Sequence, residues 1–187
     1  MKNILIIGGG GYVGAELTNS LISKGYDVSV FDLFIYGENV FNSSKVKKIK
    51  GDVREITKFE NIFQNIDCVI HLACISNDPS YDLDPELGKS INYSCFEPLI
   101  KISKDNLVKK FIYASSSSVY GIKNTPDVKE NDSLEPLTDY SKFKVLCEEV
   151  CHKYRDNNFK TIILRPATVC GVSGRQRLDL VVNILTN

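Results

Sequence analysis

Met1-Lys-Asn-Ile-Leu-Ile-Ile-Gly-Gly-Gly-Gly-Tyr-Val-Gly14 opens the chain, and its reading decides the fold. The aliphatic run Ile4 to Ile7 is short, β-branched and bounded, the pattern of a buried strand. Four glycines stop it, and a helical pattern starts near Tyr12. Strand, glycine turn and helix start, in that order, are the context of a dinucleotide-binding fingerprint. The glycines fit G-x-x-G-x-x-G at Gly8, Gly11 and Gly14, and equally G-x-G-x-x-G at Gly9, Gly11 and Gly14. In either register one glycine turns the backbone off the strand and another lets it approach a pyrophosphate. Gly14 lets the helix pack close to the sheet. The phosphates would meet N–H groups at the positive end of the helix, which begins with Tyr12 and Val13.

A second apolar run, Tyr26-Asp-Val-Ser-Val-Phe-Asp32, ends on an acid at about the 20-residue distance that the fingerprint expects. A carboxylate there accepts hydrogen bonds from a ribose 2′-hydroxyl and repels a 2′-phosphate, which favours NAD over NADP.

The rest of the chain alternates in the same way. The patterns predict helices over Tyr12 to Lys24, with Val13, Leu17 and Leu21 on one face, over Thr57 to Gln64, from Pro85 or Glu86 to Lys104, and over Asp139 to Asp156. Strands are expected at Asp27 to Asp32, Val46 to Lys50, Asp67 to Ala73, Lys110 to Ser115 and Lys160 to Arg165. Leu33 to Ser44, Ser76 to Pro85 and Ser116 to Thr138 read as loops or turns, and Leu178 to Leu185 as a final apolar piece. Six strands separated by helices make an α/β fold, a Rossmann doubly wound parallel sheet. Right-handed crossovers give it the order 3-2-1-4-5-6. Ligands of such sheets lie beyond the carboxyl ends of the strands, where Gly8 to Gly14, Asp32, Asp52, Ala73, Ser115 to Ser118 and Ala167 all fall.

Composition narrows the classes. The 187 residues suit one domain, and 23 Lys and Arg balance 23 Asp and Glu, so charge makes no case for nucleic acid or an acidic membrane. No apolar stretch approaches the roughly 20 residues of a membrane span. The cysteines Cys68, Cys74, Cys95, Cys147, Cys151 and Cys170 form no C-x-x-C and no metal-ligand pattern. They read as buried, reduced thiols of a cytoplasmic protein, with no metal expected.

Chemistry enters at Tyr140-Ser-Lys-Phe-Lys144, where a phenol and an amine stand at i and i+4 on one helix face. An ammonium beside a phenol favours the phenolate and makes it a usable acid/base. A hydroxyl-rich strand end, Ser115-Ser-Ser-Ser-Val-Tyr-Gly121, lies one loop earlier.

Together Gly8 to Gly14, Asp32, Gly51-Asp-Val53, His71-Leu-Ala73, Asn92, Ser115 to Gly121, Tyr140 to Lys144 and Leu164-Arg-Pro-Ala-Thr-Val169 resemble the extended short-chain dehydrogenase/reductase superfamily, and within it the NAD-dependent nucleotide-sugar epimerases and dehydratases. The resemblance spans essentially the whole chain. It implies that Tyr140 is the acid/base and Lys144 its partner, also holding the nicotinamide ribose. Ser116, with Ser115 and Ser117 as register alternatives, would bond the reacting oxygen. Asp52 and Val53 would flank the adenine, Leu72 and Ala73 line the cofactor, Asn92 support the site, and Ala167 lie near the nicotinamide. His71 is expected in the core and His152 in solvent. The family's dehydratases carry an Asp-Glu pair where this chain has Ser117 and Ser118, which argues for an epimerase or simple oxidoreductase. Three residues depart from the pattern: Ile7 for a threonine, Cys170 for a tyrosine and Gly174 for a proline. Residues 1–187 would thus be an NAD-binding domain, with 166–187 the start of the substrate-binding part. The family continues for roughly another hundred residues, so the substrate lobe is expected to be largely absent. A homodimer through the helices at Glu86–Lys104 and Asp139–Asp156 is the family's habit. Arg175 and Arg177 are candidates for a substrate diphosphate.

Overall fold

The computed structural model describes residues 2–76, 81, 83–124 and 126–186. Its elements are β1 (Asn3–Ile7), α1 (Tyr12–Ser23), β2 (Asp27–Asp32), β3 (Lys47–Lys50), a 3-10 segment (Val53–Phe63), β4 (Cys68–His71), α2 (Pro85–Lys89), a π turn (Ser90–Ser94), α3 (Phe96–Asp105), β5 (Lys110–Ala114), a 3-10 turn (Ser117–Tyr120), α4 (Asp139–Tyr154), β6 (Lys160–Leu164) and α5 (Val181–Leu185). The six strands form one parallel sheet in the order β3-β2-β1-β4-β5-β6, the expected topology. The register sets Ile7 beside Phe31 and His71, and His71 beside Tyr113. The carboxyl ends of β1, β2, β4 and β5 therefore finish side by side.

β1 and β4 are buried along almost their whole length, which is why they read as unbroken apolar runs. One core lies under the 3-10 segment, α3 and α4 and includes Phe63, Phe96, Phe111 and Phe159. The other lies under α1 and is built on Ile4, Ile6, Val28 and Val30. Cys95 and Cys147 belong to the first core, and burial pushes each thiol up to about 12, so both stay neutral and inert. Among the described residues no helix is long and apolar enough to cross a membrane, and no group of His, Cys, Asp or Glu could hold a metal.

Several expectations are corrected. The segment at Thr57 to Gln64 is a kinked 3-10 run from Val53 to Phe63, with non-helical backbone at Glu55 and Phe59. Asp52 caps it by accepting the Arg54 N–H. The helix expected to Lys104 is broken by the π turn, a one-residue widening that apolar spacing does not register. The loop at Ser116 to Thr138 begins with a 3-10 turn. Val13 is 41% exposed, whereas Tyr12, Gly14, Ala15 and Thr18 form the buried face of α1 and Leu17 and Leu21 pack at its margin. Cys170 is exposed. The turn expected at Ser76 to Pro85 lies partly outside the described residues.

His71 is 2% exposed, stacked on Tyr113 and flanked by Phe96 and Phe111. Burial first, and then the charge of Lys144, hold its imidazole down to about 3. His152 is exposed. Unfolded His71 takes up a proton near pH 6.5 and the native residue does so near 3, so its contribution to stability is complete above that window and is lost on acidification. At about pH 5 the loss amounts to about 2 kcal/mol. His71→Phe is expected to flatten that acid limb. Urea unfolding of both proteins at about pH 7.5 and about pH 5 measures it, and an unchanged pH slope in the variant refutes it.

Candidate functional site

The glycine turn is built by close approach. Gly8 has φ +84°, and a β-carbon there would lie 2.4 Å from the Ala73 nitrogen. A β-carbon on Gly14 would lie 2.5 Å from Gly9 Cα, so the glycine lets the first turn of α1 sit directly on the turn that leads into it. Gly11 is the N-cap of α1 and offers no side-chain acceptor to the N–H groups of the first turn. No capping side chain therefore competes with an anion there. A cradle closed on its inner side by glycine contacts and lined by uncapped N–H groups fits a pyrophosphate.

Asp32, at the end of β2, accepts the Gly10 N–H on Oδ2 at 2.9 Å and the Phe34 N–H on Oδ1 at 2.8 Å. It ties the glycine turn to the loop after β2, a structural task that the sequence did not announce. Each carboxylate oxygen keeps acceptor capacity for a ribose hydroxyl. Asp52 holds Arg54 in a close ion pair, and that guanidinium keeps its carboxyl below the usual carboxylate range. Val53 beside it turns into the core. Leu72 and Ala73 are half-buried at the end of β4, where both N–H groups donate to the Ile7 carbonyl. Asn92 sits buried in the π turn and grips Ile75 twice, accepting its N–H at 2.8 Å and donating to its carbonyl at 3.0 Å. The Cys147 thiol donates to the Asn92 carbonyl at 3.2 Å.

Tyr140 and Lys144 lie in the first two turns of α4, which a Thr138–Ser141 capping box starts. Lys144 is 5% exposed, yet its ammonium is satisfied: it donates to the Ala114 carbonyl at 2.7 Å and lies 4.9 Å from the Tyr113 ring centre and 5.5 Å from that of Tyr140. The pairing read from the i, i+4 spacing is thus met in space, on the inward face of α4 against the end of β5. Ser115 is buried and donates to Glu148 Oε1 at 2.5 Å, so this register alternative is already engaged in the fold. Ser116 is half-buried and caps the 3-10 turn, its Oγ accepting from Ser118 N–H and Ser118 Oγ, while Ser117 is exposed. Ser116 acts as acceptor in both bonds, and its own proton can be directed to a third oxygen.

Beyond β6, Ala167 is exposed, and the chain returns across α1. The Tyr12 hydroxyl donates to the Gly171 carbonyl at 2.7 Å and accepts from Asn183 at 3.1 Å, and Ser173 donates to the Tyr12 carbonyl at 2.8 Å. Tyr12 is therefore occupied through its side chain by this segment, and Val13 lines the groove beneath it. The Gly174 N–H donates to Glu16 at 3.1 Å, a bond that the expected proline would lack. Arg175 stacks on Tyr36 at 3.8 Å, and Arg177 is paired with Asp179.

Sequence reasoning missed Glu148, and it quoted Arg165 within Leu164-Arg-Pro-Ala-Thr-Val169 without giving it a role. The available signal was a carboxylate one turn past Lys144, on a face shared with Cys147 and Cys151 that had to be buried.

Residues 4–186 match the model of the NAD dependent epimerase/dehydratase family. The chain is 28% identical over 173 residues to UDP-glucose 4-epimerase of Lactobacillus helveticus, covering 91% of this chain and 52% of that protein. It is 28% identical over 193 residues to human sterol-4-alpha-carboxylate 3-dehydrogenase, decarboxylating, covering 100% of this chain and 49% of that one. Among solved structures it resembles UDP-glucuronic acid 4-epimerase from Bacillus cereus in complex with NAD, with a TM-score of 0.84 and 30% identity over 98% of this chain and 61% of that chain. The chain spans about half the length of the curated relatives it matches.

Proposed function

Because the chain belongs to the NAD dependent epimerase/dehydratase family, we propose that it works as a nucleotide-sugar epimerase, in which one sugar hydroxyl is transiently oxidised and then restored. NAD is the family's cofactor and supplies a reversible hydride acceptor when bound. The observation that carries the reading is the Lys144 ammonium, held by the Ala114 carbonyl and 5.5 Å from the Tyr140 ring, at the sheet end that carries the glycine turn.

In this reading Tyr140 removes the proton of the sugar hydroxyl and returns it after the carbon is reduced again. Lys144 stabilises the phenolate that Tyr140 must be before it takes the proton and becomes again when it gives it back. Ser116 donates to the same sugar oxygen as it gains carbonyl character. The α1 N-terminus, from Gly8 through Gly11, Tyr12, Val13 and Gly14, meets the pyrophosphate through the backbone. Asp32 takes the adenosine ribose. Asp52 and Val53 edge the adenine, and Leu72, Ala73 and Ala167 face the nicotinamide end. Asn92 supports that end through Ile75. Residues 166–187 begin the substrate side, with Arg175 and Arg177 as cations for a diphosphate. Exposed Ser117 and Ser118 provide no acid/base pair, which favours epimerisation over dehydration. One relative is a UDP-glucose 4-epimerase and one similar solved structure holds UDP-glucuronic acid, so UDP-hexoses are the first substrates to test. The reading includes a cytoplasmic protein and a homodimer formed through α2–α3 and α4.

The Asp32 carboxylate faces the place of the 2′-substituent, and NAD is expected to bind at least about tenfold more tightly than NADP, about 1.4 kcal/mol. Calorimetric titration with both nucleotides tests this, and equal affinities overturn the cofactor assignment. Turnover is tested by incubating the NAD-loaded protein with UDP-glucose, UDP-N-acetylglucosamine and UDP-glucuronic acid. An epimeric product without net NADH is expected.

A second reading, a one-way dehydrogenase, is favoured by the likeness to the human sterol dehydrogenase. It predicts accumulation of NADH in step with product.

A further inference from the structure

Glu148 is a buried carboxylate, 2% exposed, two turns beyond Tyr140 and one beyond Lys144. Arg165, the residue after β6, meets it with a fork: Nε lies 3.0 and 3.2 Å from the two oxygens and Nη2 lies 2.6 Å from Oε2. The same guanidinium donates to the Tyr120 hydroxyl at 2.8 Å and the Glu130 carbonyl at 3.0 Å and stacks on the Tyr120 ring. Ser115 completes the junction through its 2.5 Å bond to Glu148. Adjacent residues of the β5 end, Ala114 and Ser115, are thus bound to adjacent turns of α4, by Lys144 and Glu148.

A buried ion pair is a poor way to gain stability, since desolvation consumes most of its attraction. Its position suggests another use. Lys144 and Glu148 stand at i and i+4 on one helix, the spacing at which opposite charges pair. Among the described residues, Tyr113 on β5 and Tyr140 on α4 present their rings to Lys144, His71 on β4 and Cys147 on α4 feel its charge, and Glu148 stands one turn further along the same helix. His71 is neutral, and among these groups Glu148 is the carboxylate, forked by the Arg165 guanidinium. Tyr140 also senses Arg177, which Asp179 engages.

We propose that Arg165 is a positioning residue that occupies Glu148, so that the Lys144 ammonium stays on the Ala114 carbonyl and the Tyr140 ring and does not swing to the neighbouring carboxylate. The inference rests on the reading of Tyr140 as the acid/base, but its test does not need turnover. The ionisation of Tyr140 is followed by NMR of protein carrying 13Cζ-tyrosine, with Tyr140→Phe identifying the signal, in the presence of saturating NAD. Arg165→Met frees Glu148 to draw Lys144 away, and the Tyr140 pKa is expected to rise by about one unit, a tenfold fall in the phenolate fraction. Adding Glu148→Gln to Arg165→Met removes the competing charge and is expected to restore the wild-type titration.

A merely structural junction predicts the reverse pattern: the double variant, with both partners changed, would depart further from wild type. An unchanged Tyr140 titration in folded Arg165→Met, or no restoration in the double variant, overturns the proposal. Where Arg165→Met does not fold, Glu148→Gln alone decides. The proposal requires its Tyr140 pKa to equal or fall below that of wild type, and a rise refutes it. Failure of the functional reading would appear separately, as undiminished turnover in Tyr140→Phe.

Discussion

Tyr140→Phe is expected to lower nucleotide-sugar turnover by about two to four orders of magnitude, the usual share of a positioned acid/base. The dissociation constant for NAD should stay within about twofold, because the substitution leaves the ring in place. The Lys144 ammonium bonds the Ala114 carbonyl and lies over the rings of Tyr113 and Tyr140, and the phenyl ring presents the same face to it. The lost group is the hydroxyl alone. In the proposed mechanism that oxygen accepts and returns the proton, so kcat falls while the KM for the sugar nucleotide changes little. Steady-state kinetics with a UDP-hexose, beside a fluorescence or calorimetric titration with NAD, separates the outcomes. Undiminished kcat removes Tyr140 from the chemistry. Joint loss of turnover and NAD binding makes it a structural residue.

The second large effect is expected at the glycine turn. Gly8→Ala forces an L side chain onto a backbone with φ +84° and drives its β-carbon to 2.4 Å from the Ala73 nitrogen and 2.6 Å from its Cα. Those atoms have little room to retreat, since the Ala73 N–H is already bonded to the Ile7 carbonyl at 3.0 Å. The left-handed backbone costs about 1–2 kcal/mol and the overpacking about 1–3 kcal/mol. A total of about 2–5 kcal/mol is a large part of a domain's usual stability. Gly25 supplies the control: its φ is +83°, and a β-carbon there would meet nothing within 4 Å. Gly25→Ala should therefore cost the conformational part alone. Urea unfolding of the two variants isolates the contact term as their difference. Gly8→Ala should also weaken NAD binding by tenfold or more, and Gly25→Ala should leave it unchanged. Equal destabilisation by both would mean that the close approach to Ala73 contributes nothing.

Much of the site could be read before any coordinates. The aliphatic run, the glycines and the start of α1 are contiguous, and their backbone demands are local. Asp32 follows from counting one βα unit onward, and the strand order follows from six alternating elements joined by right-handed crossovers. Tyr140 and Lys144 share a face because a helix repeats every 3.6 residues, and their pairing in space meets that expectation.

Other features depend on partners that the sequence does not put next to each other. The π turn at Ser90–Ser94 keeps the apolar spacing of a helix while rotating Asn92 onto Ile75. Val13 faces outward because Gly14 and Ala15 make the close contact of α1. The Tyr12 hydroxyl is bonded to Gly171, 159 residues away. Glu148 reads as an ordinary helical glutamate until Ser115 and Arg165 meet it from two strand ends.

By itself the sequence determined the sheet, the glycine turn and the tyrosine–lysine pair, because each rests on backbone geometry and side-chain spacing within one or two elements. The tertiary structure alone decided which buried polar groups satisfy one another. Burial makes an unpaired charge or donor costly, and the group that relieves the cost is whichever distant segment the fold brings within hydrogen-bonding distance.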